Sequence, residues 1–485
     1  MMNIDKDLLS IQEVRNLVEK AKEAQKILAT FTQEEIDKIV RTMAEEGIKA
    51  SRWLAKVAVE ETDIGKYEDK IIKNLFSTKR VYESIKDLKT VGIIHTDEEN
   101  RVCHIAEPAG VIAALTPTTN PTSTALFKSL ISIKARNAII FSPHPRAVDC
   151  TCQAAEIMHK AAVHAGAPKG IIGCINYPTL EATNQLMKHP DVSIILATGG
   201  SGMVKAAYSS GKPAFGVGPG NVPTYIERSA DVKKAVKAIF DSKTFDYGTI
   251  CSSEQALICE RLNAHEVRKS LDELGGVFLT EEDMHKIERF AFRTDGSLSP
   301  NIVGKSAVHI AEQAGVKVKS DARVLIAELS GVGMNYPLSR EKLSPVLAYY
   351  EVENWQEACG LSKKLLALGG MGHTLSIHSQ DQEVITRFAL EKPASRIVVN
   401  TPSCLGAIGG TTGLTPSLTL GCGTFGGNST SDNIGPMNLL NIKRLAYEIM
   451  SPDELTRQLL SAEADDGSDE ELIKKIVMEV LKKIS

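Results

Sequence analysis

The sequence predicts an α/β protein, and three observations lead to that prediction. The chain has 485 residues, of which 43% are hydrophobic and 24% charged, so it can form about two or three domains with sizeable cores. From about residue 92, short apolar runs alternate with helical stretches, as in a parallel sheet covered by helices. The first 90 residues have the apolar spacing of helices alone.

The predicted elements follow this change of pattern along the chain. The capping box Ser10-Ile-Gln-Glu13 predicts a helix that continues to Lys26, and a second helix is predicted to start near Thr32-Gln-Glu-Glu35. Apolar runs then predict strands at residues 102–106, 111–115, 138–141, 171–175 and 192–197, interspersed with helices at 124–133, 148–165 and 180–188. A domain boundary is predicted in the Gly- and Pro-rich segment 216–223, because a second α/β run follows it, with elements at 253–259, 307–314, 348–353, 374–378 and 396–400.

The end of the chain has a composition of its own. An acidic stretch of small residues at 462–467 predicts a linker over residues 451–467. Ser468-Asp-Glu-Glu471 then opens an amphipathic helix over 468–485, whose apolar stripe is Leu472, Ile473, Ile476, Val477, Val480, Leu481 and Ile484. The pattern alone leaves two alternatives open, a helix docked on its own domain or a detachable helix that binds a partner.

Composition excludes several classes of function. Lys and Arg number 56 against 60 Asp and Glu, so there is no general positive field for nucleic acid, and 5% aromatic residues argue against base stacking. The apolar runs are far shorter than the roughly 18 residues of a membrane span, and the polar N-terminus lacks the pattern of a signal peptide. Nine cysteines without a Cys-x-x-Cys pair predict reduced thiols, a cytoplasmic location and no metal site.

The segment around Cys251 is the most informative candidate for chemistry. The run Gly248-Thr-Ile-Cys251-Ser-Ser-Glu surrounds the thiol with small residues, so that a tight backbone can present it and offer N–H donors. Taken alone, such a cysteine is more often a small buried hydrophobic residue, as Cys259 is expected to be. The pattern by itself leaves both alternatives open.

Two other segments follow predicted strands, at the edge where parallel sheets bind ligands. In Thr116-Pro-Thr-Thr-Asn120-Pro121, the Asn120 amide could donate to a developing oxyanion or serve only as a turn residue. In Thr198-Gly-Gly-Ser-Gly202, glycines precede an apparent helix and allow a phosphate group to come close to its N-terminus. Neither segment is specific by itself, and the second lacks the G-x-G-x-x-G spacing.

Taken together and in order, these motifs resemble the aldehyde dehydrogenase superfamily. The matching segments are 116–123, 198–202, 216–221, 248–254, Glu341-Lys-Leu-Ser-Pro345, Gly372-His-Thr374 and Gly423-Thr-Phe-Gly-Gly-Asn428. More narrowly, the chain resembles the CoA-acylating branch, which includes the acetaldehyde and propionaldehyde dehydrogenases of bacterial microcompartments and the aldehyde half of bifunctional aldehyde-alcohol dehydrogenases. The likeness extends from about residue 10 to residue 450.

The resemblance implies the aldehyde dehydrogenase fold. A Rossmann-like NAD-binding domain would comprise residues 1–90 and 109–219, and an α/β catalytic domain residues 220–425. A small β oligomerisation arm, residues 91–108 and 436–450, would join protomers into a homodimer or homotetramer. Residues 468–485 resemble the helices that target such enzymes to a shell protein, which would place this protein inside a bacterial microcompartment in the cytoplasm.

The resemblance also implies roles for individual residues. Cys251 would attack the aldehyde as a thiolate, and Asn120, or Thr119 in an ungapped match, would stabilise the oxyanion together with the Cys251 N–H. His373 would deprotonate the CoA thiol or order the site. Glu341 would hold the nicotinamide ribose. The residues expected to bind the cofactor are Thr116, Pro117, Ser142, His144, Thr198, Gly199, Gly200, Ser201, Gly218, Glu341 and Leu343.

One departure from the family pattern carries chemical information. Hydrolytic aldehyde dehydrogenases place a general-base Glu at a position that falls at or near Gly216 here, and no carboxylate occurs from residue 215 to 225. Without a base to activate water, an acyl-thioester on Cys251 should persist until a thiol attacks it. We therefore expect oxidation of a short aldehyde, propionaldehyde or acetaldehyde, to acyl-CoA with NAD and CoA. The alternatives are a hydrolytic enzyme that forms the free acid and a non-catalytic microcompartment cargo or scaffold.

Overall fold

The computed structural model describes residues 5–464 and 468–484, and it confirms the α/β class. Its helices are α1 (Lys6–Leu28), α2 (Gln33–Thr62), α3 (Tyr67–Leu75), α4 (Val81–Ile85), α5 (Pro121–Lys134), α6 (Val148–His164), α7 (Leu180–Lys188), α8 (Ser201–Tyr208), α9 (Val232–Thr244), α10 (Arg261–Glu273), α11 (Glu281–Ala291), α12 (Ala307–Ala314), α13 (Trp355–Ala367), α14 (Gln382–Leu390), α15 (Ser403–Gly406), α16 (Pro452–Ala464) and α17 (Ser468–Ile484). Its strands are β1 (Gly92–Asp97), β2 (Val102–Pro108), β3 (Val111–Leu115), β4 (Ala138–Ser142), β5 (Ile172–Cys174), β6 (Val192–Thr198), β7 (Ala214–Val217), β8 (Val222–Ile226), β9 (Glu254–Glu260), β10 (Gly276–Phe278), β11 (Val324–Glu328), β12 (Val346–Val352), β13 (Gly372–His378), β14 (Ala394–Val399) and β15 (Leu440–Ala446).

The chain divides into two compact units. The larger consists of Met1–Thr90 with Pro108–Asn441, and the smaller of Val91–Glu107 with Ile442–Ser485. Within the described residues, the larger unit contains one five-stranded and one seven-stranded sheet.

The five-stranded sheet is parallel and has the order β5-β4-β3-β6-β7. Every residue of β3 and β4 is buried, as expected of parallel strands covered by helices on both faces. The strand order reverses direction at β3, because β4 lies on one side of it and β6 on the other. Such a reversal leaves a crevice at the carboxyl ends of β3 and β6, which is where open α/β sheets bind ligands.

The seven-stranded sheet has the order β10-β11-β12-β9-β8-β13-β14, with parallel pairing throughout. Strand β9 lies at its centre and is buried along its whole length. Apolar clusters cover the two faces, and in one of them the rings of Tyr225 and Phe388 stack at 5.1 Å. The loop that enters β9 carries Cys251, so a buried central strand anchors the candidate nucleophile.

The smaller unit is built on a hairpin. Strands β1 and β2 pair antiparallel, and β15 extends them into a three-stranded sheet. The two segments predicted as an oligomerisation arm therefore meet in one sheet, and their role in joining protomers stays a prediction. Helices α16 and α17 follow β15 in the chain.

Of the two helix starts predicted in the first 90 residues, one is confirmed and one is wrong. Thr32 caps α2 with a capping box, because its side chain accepts from the N–H of Glu35 and Glu35 bonds back. Helix α1 begins at Lys6, so the prediction at Ser10 is wrong. The Ser10 hydroxyl instead donates to the carbonyl of Asp7 at 2.8 Å inside the helix, which satisfies it locally.

The predicted linker over 451–467 is helical over Pro452–Ala464. Ser451 and Glu454 form a reciprocal cap, in which each backbone N–H donates to the other side chain, at 3.3 and 2.9 Å. The sequence Ser451-Pro-Asp-Glu454 is a capping box with Pro at the first helical position, and that signal outweighs the acidic composition further on. Residues 465–467 lie outside the described residues.

Candidate active site

A cavity of about 500 Å³ lies at the carboxyl ends of β3, β4 and β6 and reaches the loop before β9. Its lining contains Cys251 and Asn120 and most of the predicted cofactor-binding residues, which are Thr116, Pro117, Ser142, His144, Thr198, Gly199, Gly200, Gly218, Glu341 and Leu343. His373 is not part of the described lining. The side chain of Ser201 lies outside the described residues. The fold therefore brings together segments that are far apart in the sequence.

Cys251 lies in a tight turn just before β9. Asp246, Tyr247 and Gly248 have positive φ values of 49°, 51° and 74°, so the backbone coils through the left-handed region immediately before the nucleophile. The thiol is half-buried and borders the cavity. Gly220 packs against the same turn, because a Cβ there would lie 2.1 Å from the Cys251 carbonyl oxygen. Any residue other than glycine at position 220 would displace this turn.

The resting thiol is protonated at neutral pH. Burial, and after it the charge of Glu341, raise the pKa of Cys251 to about 12, while Arg396 opposes this shift. Arg396 is itself anchored, because it donates to the carbonyl oxygens of His373 and Gly421 at 2.8 and 2.6 Å. A thiol with so high a pKa is a weak nucleophile, so catalysis requires a step that removes its proton.

Glu341 is the one carboxylate among the described residues that line the cavity. Its Oε1 accepts a hydrogen bond from the Gly220 N–H at 2.8 Å, and burial raises its pKa to about 7. Glu341 lies far in the sequence from residues 215–225, which contain no carboxylate. No motif indicated that Glu341 and Cys251 would influence each other's ionisation.

The general-base position of the hydrolytic enzymes is crowded here. Gly216 does not belong to the described lining of the cavity. A Cβ at Gly216 would lie 2.6 Å from Cγ1 of Val204 and 2.8 Å from Cε2 of Tyr208. The Tyr208 hydroxyl also accepts a hydrogen bond from the Gly216 N–H at 2.9 Å. A side chain at this position therefore has no room unless the side chains of Val204 and Tyr208 move.

Asn120 lies directly before α5, and its amide is held from two sides. Lys73 Nζ donates to Asn120 Oδ1 at 2.7 Å, and Asn120 Nδ2 donates to the carbonyl of Thr249 at 3.0 Å. Because an ammonium group has donors only, the amide oxygen must face Lys73 and the NH₂ group must face the turn of Cys251. Thr119, the alternative donor, accepts from Asn120 Nδ2 at 3.3 Å.

A buried charge cluster behind Asn120 escaped the sequence analysis. Lys70 and Lys73 of α3 are 2% and 4% exposed, and both contact the carboxylate of Asp246. Burial lowers the pKa of Lys73 to about 8, whereas the two lysines hold the pKa of Asp246 below its ordinary value against the effect of burial. Lysines spaced along an amphipathic helix usually lie on its solvated face, so the pattern did not suggest these contacts.

The cofactor side of the cavity offers polar groups without partners. The hydroxyls of Thr116 and Thr198 are buried and have no hydrogen-bond partner within the described residues. A Cβ at Gly200 or Gly218 would meet nothing within 4 Å, so both backbones border open space. Gly200 is also the N-cap of α8. Free hydroxyls, open glycine backbone and a helix N-terminus fit a dinucleotide and its diphosphate.

Ser142 and His144 form hydrogen bonds with neighbouring residues, and Leu343 has an unusual backbone conformation. Ser142 ends β4, and its hydroxyl shares a hydrogen bond with that of Thr183 at 2.9 Å. His144 Nδ1 accepts from the N–H of Arg146 at 3.1 Å, and burial lowers the pKa of His144. Leu343 has a φ of 45°, a conformation that turns the chain after Glu341.

His373 lies behind the cavity wall rather than in it. Its imidazole is fully buried, with Nδ1 bonded to Thr374 Oγ1 at 3.0 Å and Nε2 without a partner among the described residues. Burial, with the nearby charge of Arg396, lowers the pKa of His373 to about 3, so the ring is neutral at physiological pH. Its Cε1 would lie 3.2 Å from a Cβ at Gly220. Both predicted roles of His373, removal of the CoA thiol proton and ordering of the site, stay predictions.

The end of the cavity beside Cys251 is apolar. Its walls are formed by Phe76, Val217, Leu405, Ile408, Leu418 and Leu420. Four of these residues lie between positions 405 and 420, for which the sequence analysis predicted no role. An apolar wall accepts a hydrocarbon chain, and it disfavours a charged one because the charge would lose its hydration without gaining a partner.

Within residues 5–464 and 468–484, none of the helices combines the length and apolar character that crossing a membrane requires. The same residues contain no group of three or more His, Cys, Asp or Glu side chains arranged to hold a metal ion.

Comparison with known proteins agrees with the geometry. A sequence profile of the aldehyde dehydrogenase family matches residues 7–275, which is more than half of the chain. The chain belongs to the aldehyde dehydrogenase family. This aldehyde dehydrogenase is 47% identical over 442 residues to the bifunctional aldehyde-alcohol dehydrogenase of Escherichia coli, covering 90% of this chain and 50% of the relative. It thus spans about half the length of the bifunctional relatives.

Other relatives match along nearly their whole length. The acetylating succinate-semialdehyde dehydrogenase of Clostridium kluyveri is 38% identical, with 90% of this chain and 95% of the relative covered. The crystal structure of an acetylating aldehyde dehydrogenase from Geobacillus thermoglucosidasius matches with a TM-score of 0.91 and 56% identity, covering 92% of this chain and 99% of that one. These relatives confirm the predicted resemblance to acylating aldehyde dehydrogenases.

Two propionaldehyde dehydrogenase structures are more distant neighbours. One, from the fucose-utilisation microcompartment of Clostridium phytofermentans, has a TM-score of 0.83 and 27% identity, covering 90% of this chain and 98% of that one. The other, from Rhodopseudomonas palustris with bound CoA and an acylated cysteine, has a TM-score of 0.82 and 27% identity, covering 90% and 97%. The aldehyde dehydrogenase fold predicted from the motifs is confirmed by these neighbours.

Proposed function

We propose that this aldehyde dehydrogenase oxidises a short aldehyde to acyl-CoA with NAD and CoA, through a thiohemiacetal and an acyl-thioester on Cys251. The observation that carries this proposal is the cavity itself. It joins the Cys251 thiol to an oriented amide and to a groove suited to a dinucleotide, while the position of the hydrolytic base, Gly216, is a crowded glycine. The acetylating relatives support the same reaction class.

The first step is attack of Cys251 on the aldehyde carbon, in which the S–H bond breaks, the proton is released to solvent and a carbon–sulfur bond forms. The carbonyl oxygen becomes an alkoxide, and Asn120 Nδ2 and the Cys251 N–H are the donors in reach of it. Each well-placed donor in a site that excludes water is worth about 3 kcal/mol to such a transition state. The two hydrogens of Asn120 Nδ2 go to the Thr249 carbonyl and to the Thr119 hydroxyl, so donation to the alkoxide exchanges one of these hydrogen bonds for another.

The second step moves the aldehyde hydrogen to the cofactor, and NAD when bound supplies the hydride acceptor. The free hydroxyls of Thr116 and Thr198 and the open backbone of Gly200 and Gly218 would hold it, with Glu341 accepting from a ribose hydroxyl. Lys73 is the only lysine or arginine among the described lining residues, and Asp246 already pairs with it. Arg146 lies beside His144 and its charge helps to lower the pKa of that imidazole, so the groove does not select NAD over NADP by lacking a cation.

The third step transfers the acyl group from Cys251 to CoA. A thioester reacts slowly with water unless a base activates the water, and Gly216 cannot supply one. A thiol ionises far more readily than water does, so CoA needs less help. Glu341 is the one carboxylate of the described lining, and its pKa of about 7 allows it to carry or release a proton at working pH.

We further propose a partner for the C-terminal helix α17. Its apolar residues Leu472, Ile473, Ile476, Val477, Val480 and Leu481 are between 49% and 59% exposed, which is unusual for a regular apolar stripe. A shell protein of a microcompartment is the partner that the resemblance suggests, and one structural neighbour comes from such a compartment. The arm of β1, β2 and β15 would form the homo-oligomer.

The proposed reaction is tested by the dependence of NADH formation on CoA. With propionaldehyde or acetaldehyde and NAD, the chain should give a burst of about one NADH per site without CoA, and steady turnover only with CoA. Cys251→Ser should abolish both, with its circular dichroism unchanged. Steady NADH formation at a comparable rate without CoA would instead support the hydrolytic alternative. Absence of NADH under all conditions would support a non-catalytic cargo protein.

A further inference from the structure

We propose that Lys73 is a positioning residue, which holds the oxyanion donor Asn120 in its working orientation by a buried charge. The inference rests on the proposed function, because it concerns the amide that would stabilise the alkoxide on Cys251. Lys73 would not touch the substrate. It would act through Asn120 and through the turn before Cys251.

The contacts of one ammonium group link the two halves of the site. Lys73 Nζ lies 2.7 Å from Asn120 Oδ1, 3.2 Å from Thr249 Oγ1 and 3.4 Å from the Thr249 carbonyl oxygen, and it also contacts the carboxylate of Asp246. Thr249 and Asp246 belong to the left-handed turn that presents Cys251. Any movement of Lys73 therefore changes the donor and the nucleophile turn together.

The charge of Lys73 affects the amide in two ways. A reversed Asn120 side chain would place its NH₂ group against an ammonium group, two donors facing each other, so the reversed state is disfavoured. A charged donor on the amide oxygen also polarises the amide, which makes its NH₂ group a stronger donor to a developing alkoxide. Asp246 keeps the lysine charged in spite of its burial, since it raises the pKa of Lys73 against the effect of burial.

Lys70 provides a matched control for this proposal. It lies on the same helix, is equally buried and contacts the same carboxylate of Asp246, at 2.8 Å. It donates to the backbone carbonyl of Thr119, however, and not to the Asn120 amide. A general loss of the charge cluster should follow from either Lys→Met change, whereas loss of the amide orientation should follow from Lys73→Met alone.

The experiment is a double-mutant cycle read out as acylation of Cys251 by p-nitrophenyl acetate. This burst of nitrophenolate needs an oxyanion donor but neither NAD nor an aldehyde. Asn120→Ala should slow it by about 100-fold, and Lys73→Met by about 10-fold or more. In the Asn120→Ala background, Lys73→Met should cause no more loss than Lys70→Met does, because only the contacts with the turn remain, and the effect of Lys70→Met should be the same in both backgrounds. Lys73→Gln serves as the second variant if the methionine chain does not fold.

Each outcome separates the two proposals. Equal losses from Lys73→Met with and without Asn120, or no loss at all, would overturn the role of Lys73 while leaving the proposed reaction intact. If the Lys73–Asn120 coupling is observed but the chain makes no acyl-CoA from aldehydes, the positioning role of Lys73 is supported and the proposed function is overturned. If p-nitrophenyl acetate did not acylate Cys251 in the wild-type chain, both the role of Lys73 and the proposed acyl-thioester would be overturned.

Discussion

The thiol of Cys251 and the carboxylate of Glu341 share one cavity, and burial raises the pKa of both, to about 12 and about 7. Two acids in one poorly hydrated space oppose each other's ionisation, since each negative charge destabilises the next. An ionised Glu341 therefore makes the thiolate of Cys251 harder to form in the free enzyme. A cofactor that occupies the carboxylate with its ribose would weaken this repulsion.

Alkylation of Cys251 by iodoacetamide in the cofactor-free chain should report this coupling. The wild-type rate should rise with pH without a plateau up to at least about pH 10, as for a thiol whose pKa is about 12. Below pH about 7, Glu341 is neutral and Glu341→Gln should react like the wild type. Above it, the variant should react faster, by about tenfold for each pKa unit by which the thiol pKa falls.

Mapping the label to the Cys251 peptide by mass spectrometry separates it from the other cysteines, and Cys251→Ser gives the background. A slower reaction of Glu341→Gln would contradict this prediction, because it would make Glu341 the base that removes the thiol proton.

Single residues were predictable where their neighbours in the sequence are unusual. Cys251 and Asn120 stand in short motifs, and the fold places both on one cavity. Lys73 and Asp246 could not be found in this way, because their role depends on α3 lying against the turn before β9. The burial of His373 was not predictable for a similar reason, since sequence spacing does not reveal on which side of a cavity wall a side chain lies.

Among the elements, capping boxes located two of three helix starts. The box at Thr32 marks the start of α2, and the overlooked box at Ser451 marks the start of α16. The box at Ser10 does not mark a helix start, because α1 extends for another turn before it. Strands were easier, since β3 and β4 are buried at every residue and their apolar runs are nearly continuous.

Helix α17 should be dispensable for catalysis and necessary for encapsulation. Removing residues 468–485 should leave kcat within about twofold, because its apolar stripe is exposed, and should abolish co-sedimentation with purified microcompartment shells. Ile476→Glu should act like the deletion, whereas Lys475→Glu, on the polar face, should bind shells more nearly as the wild type does. Loss of turnover in the deletion would show that the helix supports its own chain instead.

At the scale of the whole molecule, the sequence predicted the α/β class and the cofactor edge better than it predicted the substrate end. The carboxyl ends of β3, β4 and β6 carry recognisable motifs. The apolar end is assembled from Phe76, Val217 and the segment between β14 and β15, which has little regular structure and no periodic pattern. Such a wall exists only after both sheets have formed, so no local signal announces it.

That wall should make the protein selective for uncharged aldehydes. Butyraldehyde and succinic semialdehyde have the same chain length and differ in a terminal carboxylate, which the apolar end cannot pair with a charge. We expect kcat/KM to favour butyraldehyde by at least about 100-fold, because burying an unpaired charge costs several kcal/mol. Comparable kcat/KM values would mean that the acyl chain takes another route, as two relatives act on anionic aldehydes by name.

The crowding at Gly216 constrains how an enzyme of this kind could evolve. A change of Gly216 to Glu would require the side chains of Val204 and Tyr208 to move, because the new Cβ would lie within 3 Å of both. Helix α8, which carries both side chains, also borders the cavity through Met203. An energy-rich thioester is thereby protected against wasteful loss by accidental mutation.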